Sequence, residues 1–136
     1  MSKFYLVMID GELDDSIAVS KYEMGGFNVA SFWTGHKLEG SIPEDVKLYV
    51  TGDNFLRVDY LANPISWPIL SERFVSLIKD MIDNSCQILE APIYSEESGK
   101  PIPGYYVVNP LNVVDCIDEK ASTIERFSDG RIDCIF

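Results

Sequence analysis

One segment of the chain has the hydrophobic spacing of an amphipathic helix. Between Ser71 and Asp83, apolar side chains recur at intervals of three and four, and polar or charged side chains fill the other positions. Ser71 can accept hydrogen bonds from the first free amides, and Glu72 suits the positive end of the helix dipole. The pattern therefore predicts a helix over Ser71 to Asp83. The side chains that we expect it to bury are Phe74, Leu77, Ile78 and Met81.

Short apolar or alternating runs bounded by turn residues predict several β-strands. These strands are Lys3–Ile9, Phe27–Trp33, Val46–Val50, Phe55–Tyr60, Cys86–Tyr94, Tyr105–Asn109 and Leu111–Ile117. Two further runs, Ile124–Phe127 and Ile132–Ile135, flank a turn at Asp129-Gly130 and predict a closing hairpin. Strands and helices do not alternate along the chain. The pattern thus favours an α+β fold, with a largely antiparallel sheet of several short strands covered by one main amphipathic helix.

Length and charge narrow the functional class. A chain of 136 residues is in the usual range of one domain, so we expect a single domain over residues 1–136. Its 22 acidic and 11 basic side chains give a formal net charge of -11. This charge repels nucleic-acid phosphates and anionic membranes, whereas it attracts a basic protein. We therefore expect a protein partner with a basic surface, no nucleic acid and no membrane.

The cysteines and the first residues bear on the compartment. The apolar run Phe4–Ile9 is too short for a signal peptide or a membrane span. Cys86, Cys116 and Cys134 are odd in number and widely spaced, which favours free thiols over a disulfide framework or a structural zinc site. We expect a cytoplasmic protein without a disulfide or bound zinc.

The sequence offers little that resembles a catalytic motif. The only histidine, His36, lies in a predicted loop, where an exposed polar residue is the commoner reading. The acidic turn that begins at Asp10-Gly11 lacks the glycine position and the flanking helix of a calcium loop. We accordingly expect no enzyme activity, no cofactor and no metal. Two alternatives stay open, namely a small hydrolase that uses scattered carboxylates and a structural subunit of a larger assembly.

Two acidic stretches in predicted connections are the candidate partner-binding residues. A carboxylate in an exposed connection can face a partner without deforming the core. The alternative is solvated charge that only keeps the protein soluble. The candidates are Glu12, Asp14 and Asp15 in the first stretch, and Glu96 and Glu97 in the second.

Two segments carry a resemblance to a known family. They are the helix start Ile65–Phe74, with its Ser-Glu-Arg sequence, and the tyrosine-rich segment Tyr105–Ser122, which contains Asn-Val-Val-Asp-Cys-Ile-Asp. Their order and spacing resemble the eleventh family of immunity proteins from bacterial polymorphic toxin systems, over about residues 42–125. The resemblance implies a small cytosolic antidote that binds a cognate toxin, and it carries over no catalytic residue. Members often continue beyond the position of Phe136, so it also implies a C-terminal truncation relative to the family.

Overall fold

The computed structural model describes residues 18–52, 58–112 and 118–135, and it has the expected α+β fold. Within these ranges there are eight strands, one α-helix and two short 3-10 helices. The strands are β1 (Val19–Glu23), β2 (Lys47–Val50), β3 (Ile69–Ser71), β4 (Cys86–Glu90), β5 (Ile93–Ser95), β6 (Tyr105–Pro110), β7 (Ile124–Arg126) and β8 (Ile132–Ile135). The helix α1 spans Glu72–Ile82, and the 3-10 helices span Val29–Phe32 and Asp83–Ser85.

The described strands form two sheets of three strands and a separate hairpin. The first sheet has the order β1-β2-β5, in which β1 and β2 are antiparallel and β2 and β5 are parallel. The second has the order β3-β6-β4, with both pairs antiparallel. Strands β7 and β8 form the hairpin that the sequence predicts around Asp129-Gly130. Four of the five pairings are antiparallel, which agrees with the expected architecture.

The helix α1 connects β3 to β4, the two outer strands of the second sheet, and β6 lies between them. Strands β3 and β4 both run antiparallel to β6, so they are parallel to each other, and a chain that passes between two parallel strands of one sheet needs a crossover connection. The helix begins as predicted, because Ser71 Oγ accepts a hydrogen bond of 3.1 Å from the Phe74 amide. Its first and last residues differ from the predicted bounds by one residue at each end.

The burial predicted for α1 is wrong at two of four positions. Leu77 and Met81 are exposed, at 73% and 68%, whereas Phe74 and Ile78 are half-buried and Val75 is buried. The helix packs on β3 and β6, which meet only one part of its apolar arc. Periodicity identifies that arc, but the width of the covering sheet determines how much of it is buried.

The predicted strand Phe27–Trp33 is also wrong, because the chain forms a 3-10 helix at Val29–Phe32. The Asn28 side chain accepts a hydrogen bond of 3.0 Å from the Ala30 amide, and such local bonds compete with strand pairing. The turn directs Phe32 into the core, where its ring lies 4.7 Å from Trp67 in an edge-to-face arrangement. The aromatic residues of this segment are therefore buried from a 3-10 turn, and not from the strand that the apolar pattern predicts.

The predicted strand Cys86–Tyr94 is two strands in different sheets. Strand β4 ends at Glu90 and β5 begins at Ile93, with Ala91-Pro92 between them. Proline has no amide hydrogen, so it cannot donate a ladder hydrogen bond. The carbonyl of Pro92 instead accepts from the Leu48 amide at 2.9 Å, which starts the pairing with β2. Ala91-Pro92 is therefore the connection through which the chain passes from the second sheet to the first.

Some predicted strands fall on residues that the structure does not describe. Lys3–Ile9 lies wholly outside the described ranges, as do residues 55–57 of the predicted strand Phe55–Tyr60 and residues 113–117 of the predicted strand Leu111–Ile117. Tyr60 forms an isolated bridge to Leu70. Within the described part of the chain, no helix has the length and hydropathy needed to cross a membrane.

The main core lies around Trp67, which is fully buried. Its indole packs edge-on against Phe27 and Phe32, and its Nε1 donates a hydrogen bond of 2.9 Å to the Val29 carbonyl. Buried side chains of the first sheet, including Leu48 and Ile93, belong to the same cluster. This core packs against one face of the first sheet.

Candidate functional site

The outward face of the first sheet carries two tyrosines and the charged side chains around them. On β2, Leu48 and Val50 are buried, so the alternation of a strand places the side chains between them on the opposite face. The register aligns Tyr49 with Tyr94 on β5 and with Lys21 on β1. We call this surface the tyrosine face. Its residues are Lys21, Glu23, Lys47, Tyr49 and Tyr94.

The side chains of the tyrosine face contact one another. The rings of Tyr49 and Tyr94 have centroids 6.1 Å apart, within the range of attractive aromatic pairs. Lys21 Nζ lies 5.1 Å from the Tyr49 ring centroid, and Lys47 Nζ lies 5.4 Å from that of Tyr94, so each ring has a cation over it. Lys21 also pairs with Glu23 at 3.5 Å. Tyr49 and Tyr94 are half-buried, so each ring is held by its neighbours while part of it stays accessible to a protein surface.

The predicted site residues Glu96 and Glu97 lie beside this face. Both are exposed in the turn that follows β5. The Glu96 amide donates to the Val50 carbonyl at 3.0 Å, and its Oε2 accepts a hydrogen bond of 2.8 Å from Ser20 Oγ. Ser20 occupies the irregularity in the β1-β2 register, and a bulge of this kind re-aims a side chain. The structure thus brings Glu96 to the edge of the tyrosine face. The other predicted site residues, Glu12, Asp14 and Asp15, lie outside the described residues.

A cleft of about 420 Å³ opens beside β5. Tyr94 belongs to its lining and to the tyrosine face, so the two surfaces are continuous. We call it the proline cleft. Its lining consists of Ser41, Ile42, Pro43, Glu44, Val46, Glu90, Ala91, Pro92, Ile93, Tyr94, Pro101, Ile102 and Pro103.

A second polar cluster lies at the start of α1. Asp59 accepts two hydrogen bonds from Arg73, at 3.0 Å and 2.7 Å, and one of 2.6 Å from Ser71 Oγ. The hydrogen bond from the Arg73 guanidinium, followed by that from Ser71, lowers the pKa of Asp59. A carboxylate with a lowered pKa is a weak base, and Ser71 Oγ already caps the helix. The geometry therefore indicates a structural role, in which Asp59 holds the first turn of α1 through Ser71 and Arg73.

Tyr105 lies next to this cluster and is buried. Its hydroxyl donates to the Val58 carbonyl at 2.9 Å. Burial raises the pKa of Tyr105 to about 12, so the phenol stays protonated near neutral pH. A phenol held in this way fixes the segment at Val58 and is poorly placed to transfer a proton.

The single histidine is exposed, and its backbone is tied to the second sheet. The His36 carbonyl accepts a hydrogen bond of 2.9 Å from the fully buried Asn109, whose amide also lies 3.1 Å from Gln87 Oε1. Gln87 in turn exchanges hydrogen bonds with the Leu38 amide and carbonyl, at 2.9 Å and 2.8 Å. The side chains of Asn109 and Gln87 thus fix the loop at His36 and Leu38 by hydrogen bonds to its backbone, where no strand pairing holds it. The side chain of His36 has no part in the network.

The described residues contain no group of three or more His, Cys, Asp or Glu side chains that could hold a metal ion. Cys86 is a half-buried free thiol near Ser85 Oγ. Cys116 and the Cys134 side chain lie outside what the structure describes. A free cysteine packed among apolar neighbours behaves as a small hydrophobic residue.

The fold presents two adjacent, partly accessible tyrosines on one sheet face, and tyrosine is enriched where proteins bind other proteins, so the fold and this face fit the class of protein-binding domains. The comparison with protein families agrees with this class. Residues 13–133 match the immunity protein family Imm11, so the chain belongs to that family. The search of curated proteins gives no match. The family match includes the tyrosine face, the proline cleft and both acidic candidate stretches apart from Glu12.

Proposed function

We propose that this chain is an immunity protein that binds a cognate bacterial toxin and neutralises it by occupying its surface, without catalysing a reaction. The observation that carries the proposal is the family match over residues 13–133. In this proposal the chain forms a single domain over residues 1–136 and acts in the cytoplasm of the cell that makes the toxin. Partly accessible tyrosines beside an exposed acidic turn support a protein partner over a small substrate.

The charge of the chain supports a basic toxin surface. A net charge of -11 speeds encounter with a cationic protein, and toxins that act on nucleic acids need cationic surfaces to contact phosphate. In this proposal the acidic stretches steer the toxin towards the chain. The steering residues are Glu12, Asp14, Asp15, Glu96 and Glu97.

The tyrosine face is the proposed contact surface. Tyrosine combines a large apolar ring with a hydroxyl and is enriched among the residues that contribute most to interface affinity. Lys21 and Lys47 hold the rings of Tyr49 and Tyr94 in the free protein, which lowers the entropy cost of ordering them on binding. A largely ordered face can bind without rearrangement of its backbone.

The function is tested by protection and by binding. The toxin domain encoded beside this gene is expressed in a susceptible cell with and without the chain, and growth is measured. The purified pair is examined by isothermal titration calorimetry. We expect growth to be restored and a complex to form. Normal toxicity together with no heat of binding would refute the function.

The surface is tested with two tyrosines of the same sheet. Tyr49→Ala removes a ring of the tyrosine face, whereas Tyr22→Ala removes a 45% exposed ring that is aligned with Leu48, on the other face. We expect Tyr49→Ala to weaken toxin binding about tenfold or more, and Tyr22→Ala by less than about threefold. Thermal unfolding of both variants controls for loss of the fold. Equal affinities of the two variants would contradict the assignment of the surface.

A further inference from the structure

The proline cleft has walls that are apolar and conformationally restricted. Four of its lining residues are prolines, at positions 43, 92, 101 and 103. The pyrrolidine ring fixes one backbone dihedral, so these walls lose little entropy when a ligand enters. Ile93, which also lines the cleft, is buried and belongs to the main core. The cleft is therefore a preformed feature of the fold, large enough to enclose a long side chain.

The charges of the cleft have one sign. Glu44 and Glu90 are its only ionisable lining residues apart from Tyr94, and no lysine or arginine lines it. Both carboxylates are exposed, and neither has a hydrogen bond or an ion pair within the described residues. This differs from the adjoining tyrosine face, where Lys21 and Lys47 accompany the rings. An occupant with a positive charge is favoured in the cleft because nothing in its lining already neutralises the two glutamates.

We propose that the proline cleft receives an arginine or lysine side chain from an exposed segment of the cognate toxin. This inference rests on the proposed function and names the subsite where the toxin would insert. The aliphatic stem of such a side chain packs against the prolines, and its charged end reaches Glu44 and Glu90. Tyr94 connects the cleft to the tyrosine face, so one toxin surface can contact both.

The test compares two double variants that remove the same charge. Glu44→Gln with Glu90→Gln neutralises the cleft, and Asp80→Asn with Glu125→Gln neutralises two exposed carboxylates on α1 and β7. Affinity for the toxin domain is measured by isothermal titration calorimetry at constant salt. We expect the cleft variant to bind about tenfold or more weakly, and the control to lose less than about threefold. Equal losses would overturn the proposal, because they would reflect net charge alone.

A double-mutant cycle identifies the inserted side chain. Each exposed arginine or lysine of the toxin is changed to methionine, which keeps an aliphatic stem and removes the charge. One such change should weaken binding about tenfold to the unaltered chain and cause no further loss with the Glu44→Gln/Glu90→Gln variant. Additive losses at every position would contradict insertion.

The two proposals fail in different ways. If the unaltered chain binds no toxin, the proposed function is wrong and the cleft assignment falls with it. If the unaltered chain binds and the Glu44→Gln/Glu90→Gln variant binds equally well, only the cleft assignment is wrong. The carboxylates are exposed and make no described hydrogen bond, so we expect both double variants to unfold at the same temperature as the unaltered chain.

Discussion

The packing of the main core can be tested by making the same substitution, tryptophan to phenylalanine, at the buried Trp67 and at the exposed Trp33. Trp67 is fully buried, and Trp33 is 53% exposed. Replacement of Trp67 by phenylalanine removes the Nε1 donor to the Val29 carbonyl, a hydrogen bond of 2.9 Å that contributes about 0.5–1.5 kcal/mol. The smaller ring also leaves unfilled space beside Phe32, for which we expect about 1–2 kcal/mol from lost transfer energy and the residual cavity. Together these effects predict a loss of about 1.5–3.5 kcal/mol in the free energy of unfolding.

The measurement is urea denaturation followed by far-ultraviolet circular dichroism, since tryptophan fluorescence would itself change in both variants. Trp33→Phe is the matched control, and we expect it to change the free energy of unfolding by less than about 0.5 kcal/mol. A loss below about 0.5 kcal/mol for Trp67→Phe would refute the packing described around the indole. Equal losses for the two variants would refute the difference in burial.

Further variants test the helix, the Asp59 cluster and one turn. On α1, Val75→Ala should lower the free energy of unfolding by about 1–2 kcal/mol and Leu77→Ala by less than about 0.5 kcal/mol, and urea titrations showing the reverse order would contradict the helix orientation. The lowered pKa of Asp59 contributes stability above about pH 4 that is lost as the pH falls through its folded-state pKa. The stability difference between the unaltered chain and Asp59→Asn, measured by urea denaturation, should therefore shrink from about pH 6 to about pH 3, and a constant difference would refute the linkage. Gly25 has a φ of +55°, and an added Cβ would overlap the Asp45 carboxylate, so Gly25→Ala should lower the melting temperature, with a destabilisation of about 1–2 kcal/mol.

The sequence predicts features that depend on neighbouring residues along the chain. The helix α1 and its cap at Ser71 follow from local spacing and capping chemistry, and the β7-β8 hairpin follows from its turn. The separation of β4 from β5 is set by partners far away in sequence, namely β6 and β2. The apolar run itself does not indicate which strand will pair with it. The single strand predicted over Cys86–Tyr94 therefore merges two sheets.

In the candidate site, too, features set by neighbouring residues could be predicted, and features set by distant strand pairing could not. Exposure of Glu96 and Glu97 could be predicted because turn residues surround them. The tyrosine face could not be assembled from the sequence, because Tyr49 and Tyr94 lie on strands whose parallel pairing has no local signal. Alternation along Val46–Val50 does place Tyr49 opposite the buried side chains, and this was the available clue. The proline cleft joins the segment at Pro43 with residues 90–94 and 101–103, which only the tertiary fold brings together.

The topology of the second sheet determines when that sheet can be completed during synthesis of the chain. Strand β6 is the central strand, yet β3, α1 and β4 all precede it in the chain, so they leave the ribosome without the strand that pairs with both edges. Ribosomes add about 5–20 residues per second, and the apolar side of α1 stays without its complete sheet until residues 105–110 have emerged. The residues that line the proline cleft also include Pro101 and Pro103, which emerge just before β6. A nascent chain that stops before β6 should therefore lack the completed second sheet.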